Sequence, residues 1–271
     1  MMYFQDFLNK NSRTLIMGIL NMTPDSFYDG GEYFDSSNLR DRFKSLNQAD
    51  IIDIGAESSR PGSDSISKKD EINRLSKIFD LLIKSDTYYS IDTYKPDVAE
   101  FAIQNGFNMI NDITGGGNGK MFEIASKFNV PIVIMHMQGT PNCMQKAPKY
   151  SNIIDELLMY FDERIKFAVD CGVNEKQIII DPGIGFGKTV QHNDKIIKDL
   201  HKFKRFDLPL LVGLSRKSFL AYNSNEPKDR LGASLSIGAI AIHNGANIIR
   251  VHDIEESILN FSIVDRLLSE K

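Results

Sequence analysis

The chain has 271 residues, and its 32 basic against 36 acidic side chains leave a formal net charge of −4. That balance excludes a nucleic-acid binder driven by phosphate neutralisation. With 42% hydrophobic and 25% charged residues, the chain can fill a large core and is no disordered polymer. No run approaches the roughly 18 uninterrupted apolar residues of a membrane helix, and MMYFQDFLNKNSRT at the N-terminus lacks a signal-type apolar stretch. The only cysteines, Cys143 and Cys171, stand outside any CxxC or Cys/His cluster, which argues against a disulfide scaffold or structural zinc. The expectation is a soluble cytoplasmic protein that binds neither nucleic acid nor membrane.

Short β-branched or aliphatic runs read as buried parallel strands, and each runs straight into polar residues. Leu15–Leu20 leads into Asn21-Met-Thr-Pro-Asp-Ser-Phe. Ile51–Gly55 holds Asp53 and leads into Glu57-Ser-Ser-Arg60-Pro-Gly. Tyr89–Asp92 ends on Asp92, Met109–Asp112 on Asn111-Asp112, and Ile132–Met135 precedes His136. Gln177–Asp181 leads into Pro-Gly, Leu210–Leu214 into Ser215-Arg-Lys217, and Ile248–Val251 contributes Arg250 before His252. Between these runs, apolar residues three and four apart mark amphipathic helices, as in Ile72, Leu75, Phe79 and Leu82, or Ile153, Leu157, Phe161, Ile165 and Val169. Asp253 with Glu256 reads as a capping box, and Gly245 as the stop after the preceding helix. The small-residue segment GASLSIGAIA (232–241) allows close helix packing within the chain or against a second copy.

Strand-helix units repeated without a linker predict an α/β fold, one (β/α)8 TIM barrel spanning 1–271 as a single domain. In such a barrel the strand ends converge on the face where barrel enzymes keep their active sites. A lone strand-end Asp is more often a turn or helix cap than a catalyst; a full ring of polar strand ends is harder to explain as caps. Asp53, Asp92, Asn111 and Asp181 would share that mouth with the cations Arg60, Lys217 and Arg250, and with His252 as a fourth if it is protonated. A ligand with a donor-rich edge and a strongly anionic group satisfies both sets. The cations after the last two strands, with Ser215 opening a short helix, predict an anion site there.

DPGIGFGKT (181–189) superficially suggests a P-loop, but a Walker motif ending at Gly187-Lys188-Thr189 needs glycine where Pro182 stands. A G-x-G-x-x-G fingerprint fails as well. The loop is then either a mobile glycine segment or a close backbone approach to a flat ligand, with Phe186 packing on it. His192, His201 and His243 are given no role, and Gly115–Gly119 is a flexible turn.

GILNMTPDSFYDGG (18–31), IDIGAESSRPGS (52–63), SIDTYKPDVA (90–99), INDITGG (110–116), IMHMQGTP (134–141), IIIDPGIGFGKT (178–189), LVGLSRKSF (211–219) and IIRVHD (248–253) together resemble the dihydropteroate synthases, pterin-binding barrel enzymes. The resemblance spans about 15–255. It implies condensation of 6-hydroxymethyl-7,8-dihydropterin diphosphate with 4-aminobenzoate to 7,8-dihydropteroate and diphosphate, with Mg2+, in a homodimeric transferase of folate biosynthesis that sulfonamides target. By resemblance, Asp92, Asn111 and Asp181 hold the pterin edge, with Lys217 near its oxo and N5 side. Arg250 lies over the pterin face and touches the diphosphate; His252, Asn21 and Arg60 complete the anion site, Asn21 also binding Mg2+. Ser59, Pro61, Phe186 and Ser215 frame the aminobenzoate. Asp92, Lys217, Arg250 and His252 are the implied catalytic groups.

Departures from the family pattern are Ser59 in place of a usual threonine, Ala56 for a frequent glycine, and Cys143 for a common threonine. None removes a charge. The implied mechanism is dissociation before attack, Asp92 stabilising the pterin cation, and closure of the loops at 21–31 and 58–63 to exclude water. The rival readings are a pterin-dependent methyltransferase, disfavoured by SRKSF and ESSRPG, and a non-catalytic pterin binder, disfavoured by the intact charged set.

Overall fold

The computed structural model describes residues 3–23, 36–58, 63, 65–82, 87–141, 143–221 and 226–269. Strands β1 (Leu15–Asn21), β2 (Ile51–Gly55), β3 (Tyr88–Asp92), β4 (Met109–Asp112), β5 (Ile132–Met135), β6 (Ile178–Asp181), β7 (Leu211–Gly213) and β8 (Ile248–Val251) form one parallel sheet. Its order is β6-β5-β4-β3-β2-β1-β8-β7. β1 sits between β2 and β8, with Met17 opposite Ile51 and Leu15 opposite Ile248. The ring closes between β6 and β7 through the Ile180–Leu210 bridge, where Ile180 N–H donates to the Pro209 carbonyl at 3.0 Å. This is the expected (β/α)8 barrel. β7 is shorter than its aliphatic run because Leu210 supplies that bridge and Leu214 already accepts the turn bond from Lys217 N–H.

Side chains alternate across a strand, so positions two apart face the same side. Facing inward, Leu15, Met17, Ile51, Met109, Val133, Ile179, Leu211 and Ile248 pack into one layer with Phe4 and Phe7 of α1 (Phe4–Asn11). Tyr88 meets both phenylalanine rings edge-on, at 5.2 and 5.0 Å between centroids. Phe4 N–H donates to Gln177 Oε1 at 2.9 Å, which ties the helix to the barrel floor. Two residues further along the same strands, the layer turns polar. Ile51 is followed by Asp53, Met109 by Asn111, Ile179 by Asp181 and Ile248 by Arg250. The alternation that builds the core therefore also aims these groups at the C-terminal mouth.

Outward-facing strand residues pack on the helices α2 (Ser36–Ser45), α3 (Lys68–Leu75), α4 (Pro96–Gln104), α5 (Lys120–Phe128), α6 (Ile153–Asp170), α7 (Val190–Lys198), α8 (Leu231–His243) and α9 (Ile254–Ser269). The Ile72-to-Leu82 pattern is not one helix. α3 stops at Leu75 and a 3-10 stretch, Ser76–Leu81, follows, with the Ser76 hydroxyl donating back to Ile72 O at 2.9 Å. In α6, two turns beyond Phe161 fall on Ala168, which is buried, and leave Val169 exposed. The small residues of α8 serve packing within the chain: a Cβ on Gly238 would come within 2.5 Å of the Phe261 ring of α9.

Candidate active site

At the mouth, Arg250 of β8 joins two strands across the barrel. Its Nε donates to Asp53 Oδ2 at 2.6 Å and a terminal nitrogen donates to Asp92 Oδ2 at 2.8 Å. Asn111 Nδ2 donates to the same Asp53 oxygen at 3.0 Å. The other Asp53 oxygen is buried and, among the described residues, has no hydrogen-bond partner. Burial and the Asp53 carboxylate push Asp92 up to about 7, with Arg250 pulling the other way. Gly55 leaves room for this residue, since a Cβ there would lie 3.3 Å from Asp92 Cβ. Arg250 is thus committed to carboxylates at the mouth. Asp53, expected at this mouth but given no ligand role by the family resemblance, is the residue that holds it, two residues after the inward-facing Ile51.

On the opposite wall, Asp181 caps its own loop by accepting Gly183 N–H at 2.7 Å, and burial raises its pKa against the pull of Lys217. Lys217 bends back over the Gly-rich loop, donating to the Ile184 carbonyl, with Nζ 4.8 Å from the centre of the Phe186 ring. Burial lowers Lys217 to about 8, opposed by Asp181. The loop is tied down: Gly185 N–H donates to Asn193 Oδ1, Gln145 Nε2 donates to Gly185 O, and the Tyr150 hydroxyl donates to Gly187 O. Its glycines permit close approach. Gly183 has φ +68° and a Cβ there would lie 1.9 Å from the His136 carbonyl oxygen. His192, given no role from sequence, completes a capping box with Thr189 at the start of α7.

After β7 the structure departs from expectation. Ser215 opens no helix: Arg216 takes a left-handed conformation, φ 56°, and the 3-10 turn begins only at Ser218. The turn spans three residues, Ser218–Leu220, too short to present a helix-terminal anion site. Arg216 instead points away from the mouth into Asp253, donating Nε to Oδ2 at 2.9 Å and a second bond to Oδ1. Its backbone N–H donates to the Ser234 hydroxyl and its carbonyl accepts Arg230, both at 2.9 Å. The Asp253 carboxylate, expected as a helix cap, is engaged in this clamp, which braces Ser215 and Lys217 on one side and His252 on the other. Ser215 Oγ lies 3.0 Å from His252 Nδ1 and accepts the His252 backbone N–H at 3.2 Å. This turns Ser215 toward His252, the expected anion side. Burial and Arg250 hold His252 down at about 4, so at pH 7 it offers an N–H and no charge, which takes it out of the cationic set.

Beside Asp92 lies a cavity of about 520 Å³, whose walls include Glu57, Glu71, Thr93, Tyr94 and Met137. Asp92 is its link to the charged cluster. Lys217, Asp181 and Arg250, expected to line the same cavity, are not among its wall residues. Along the cavity wall, Lys95 bridges Glu57 and the fully buried Glu71, 2.7 Å from the latter, while the Tyr94 hydroxyl donates to Glu57 at 2.8 Å. Glu57 is thereby fixed two residues ahead of Ser59. Ser59, Arg60 and Pro61 lie outside the described residues, as does the loop at 24–31.

Asn21, at the end of β1, is half-buried. Among the described residues no group of three or more His, Cys, Asp or Glu could hold a metal. A lone carboxamide suits Mg2+, which keeps waters and phosphate oxygens around it, better than it suits an ion needing an all-protein cage.

The family described as pterin binding enzyme matches residues 17–252. The dihydropteroate synthase of Escherichia coli (strain K12) is 40% identical over 263 residues, 94% of this chain and 92% of that protein. The Yersinia pestis dihydropteroate synthase, solved in a sulfonamide drug complex, matches with a TM-score of 0.89 at 37% identity, over 96% of both chains. That of Xanthomonas albilineans, solved with 4-aminobenzoic acid, has a TM-score of 0.88 at 32% identity, covering 95% of this chain and 94% of its own. Barrel, polar mouth and sequence agree over nearly the whole length, and the chain belongs to the pterin-binding enzymes, within them to the dihydropteroate synthases.

Proposed function

We infer that this chain joins 6-hydroxymethyl-7,8-dihydropterin diphosphate to 4-aminobenzoate, forming 7,8-dihydropteroate and releasing diphosphate. The carrying observation is the Asp53–Arg250–Asp92 cluster with Asn111 beside it. It sets acceptors for a flat, N–H-rich heterocycle at the C-terminal mouth, with the cationic Lys217 across from it. Asp92, Asn111 and Asp181 take the pterin edge. His252, Asn21 and Arg60 receive the diphosphate. Ser59, Pro61, Phe186 and Ser215 frame the aminobenzoate, and sulfonamides compete there. Incubating the purified protein with both substrates should yield dihydropteroate; a preparation that forms none sinks the reading, and methyl transfer to a corrinoid protein would support its rival.

The carbon–oxygen bond to diphosphate breaks first, and the positive charge left on the pterin methylene spreads into the ring, where Asp92 stabilises it. The arylamine nitrogen then attacks and gives up its proton to water. It is neutral at pH 7, so the site needs to place it rather than deprotonate it beforehand. Mg2+, when bound through Asn21 and the diphosphate, supplies neutralisation of leaving-group charge. With Asp92 at about 7, a pterin that donates N–H to its carboxylate should bind about tenfold more weakly at pH 6 than at pH 8. The sign follows from protonation removing the acceptor as pH falls. Calorimetric titration with a pterin across that range checks it, and a flat profile would remove Asp92 as an acceptor.

The whole chain acting as one domain, a cytoplasmic location and a homodimer belong to the same proposal. Both cysteines being free thiols supports a reducing compartment. For the dimer, Leu259, Ile263 and Leu267 of α9 are 68%, 52% and 60% exposed at four-residue spacing, an apolar stripe left uncovered among the described residues. Ile263→Glu should convert a sedimenting dimer to monomer, and a wild-type protein that sediments as a monomer would exclude the assembly.

A further inference from the structure

Lys188 survives from the failed P-loop comparison with no role in the site just described, yet it is almost wholly buried, at 3% exposure. Its Nζ lies 2.9 Å from the Phe186 carbonyl oxygen, 3.3 Å from the His136 carbonyl oxygen and 3.0 Å from His136 Nδ1. These three acceptors match the three N–H bonds of an ammonium, so His136 accepts at Nδ1 and carries its proton on Nε2. Burial and the neighbouring ammonium hold that imidazole at about 3, which keeps it neutral and accepting. The other charged groups facing Lys188 are Asp181 at the end of β6 and Lys217 after β7. Among the described residues no carboxylate is salt-bridged to Lys188. The ammonium is a knot between two stretches of backbone.

The knot ties the exit of β5 to the Gly-rich loop. Gly183 and Gly187 let the two backbones close on each other, for a Cβ on either would lie within 3 Å of a carbonyl oxygen of His136 or Gln138. The residue whose carbonyl Lys188 grips is Phe186, and the face of the Phe186 ring carries Lys217. Moving that peptide would move the ring, while Lys217 keeps its own anchor on the Ile184 carbonyl. We propose that Lys188 is a positioning residue for the aminobenzoate subsite, fixing the Phe186 wall by binding the Phe186 carbonyl to the β5 exit. This rests on the reading of Phe186 as one wall of that subsite.

The test is steady-state kinetics on purified wild-type and Lys188→Met proteins, each substrate varied in turn. Met keeps the stem and loses all three donors. The KM for 4-aminobenzoate should rise about tenfold, as expected when a hydrogen-bonded anchor is lost, while the KM for the pterin diphosphate and kcat stay within about twofold. His136→Leu, which removes one acceptor and leaves the lysine, should shift the same KM in the same direction by less, and it decides the matter if Lys188→Met does not fold. In a Phe186→Leu background the Lys188→Met effect should largely vanish, because the two act through one wall. Both KM values rising together, neither rising, or full additivity with Phe186→Leu would overturn the proposal. Wild-type protein that makes no dihydropteroate would instead refute the functional reading on which it stands.

Discussion

Asp92→Asn should lower turnover by about 100- to 1,000-fold, the range for loss of one preorganised charge at a transition state, while calorimetric affinity for a pterin changes by less than about tenfold. The replacement isolates charge from shape. An Asn oxygen can still accept the Arg250 N–H that Asp92 Oδ2 now takes at 2.8 Å, so the side chain stays in place. Arg250 keeps Asp53 as its counter-ion through Nε, so no buried cation is stranded and the barrel should fold. What disappears is the negative charge that the proposed mechanism sets against the pterin cation. Turnover equal to wild type would take cation stabilisation away from Asp92.

Gly183→Ala should be among the most damaging small substitutions in the chain. The new methyl would lie 1.9 Å from the His136 carbonyl oxygen, and the residue would be held at φ +68°, where an L side chain costs roughly 1–2 kcal/mol before any clash. Adding about 1–3 kcal/mol for overpacking gives a loss of about 3 kcal/mol, or roughly 6–12 °C in Tm for a chain of this size. Activity should fall with it, because the displaced loop carries Asp181 at one end and Phe186 near the other. Gly117→Ala is the control, at φ +49° with only the Thr114 hydroxyl at 3.5 Å. Equal Tm losses for the two would show that the backbone conformation alone, and not the approach of β5, sets the cost.

Much of this architecture is legible in the residues. The aliphatic runs locate the strands to within a residue because a buried parallel strand tolerates little else. The step of two from Ile51 to Asp53, or from Met109 to Asn111, makes the polar ring a consequence of the same period. Partnership is another matter. Nothing in the order of the chain says that Arg250 would choose Asp53 and Asp92, residues 197 and 158 positions away, over an anionic ligand. Nor does SRK announce that its arginine turns outward to Asp253 while its lysine turns inward, which depends on a left-handed residue that only the packed loop enforces. The charge of His252 stays open in the sequence, which carries no measure of the burial that keeps it neutral. Lys188 was read against a phosphate motif, and its actual acceptors, two of them backbone carbonyls, leave no trace in side-chain spacing.

Phe4, Phe7 and Tyr88 stopper the far end of the barrel, so among the described residues the polar ring opens on the C-terminal side. A molecule resting against Asp53 and Asn111 would sit at the back of a blind alley and leave by the way it came.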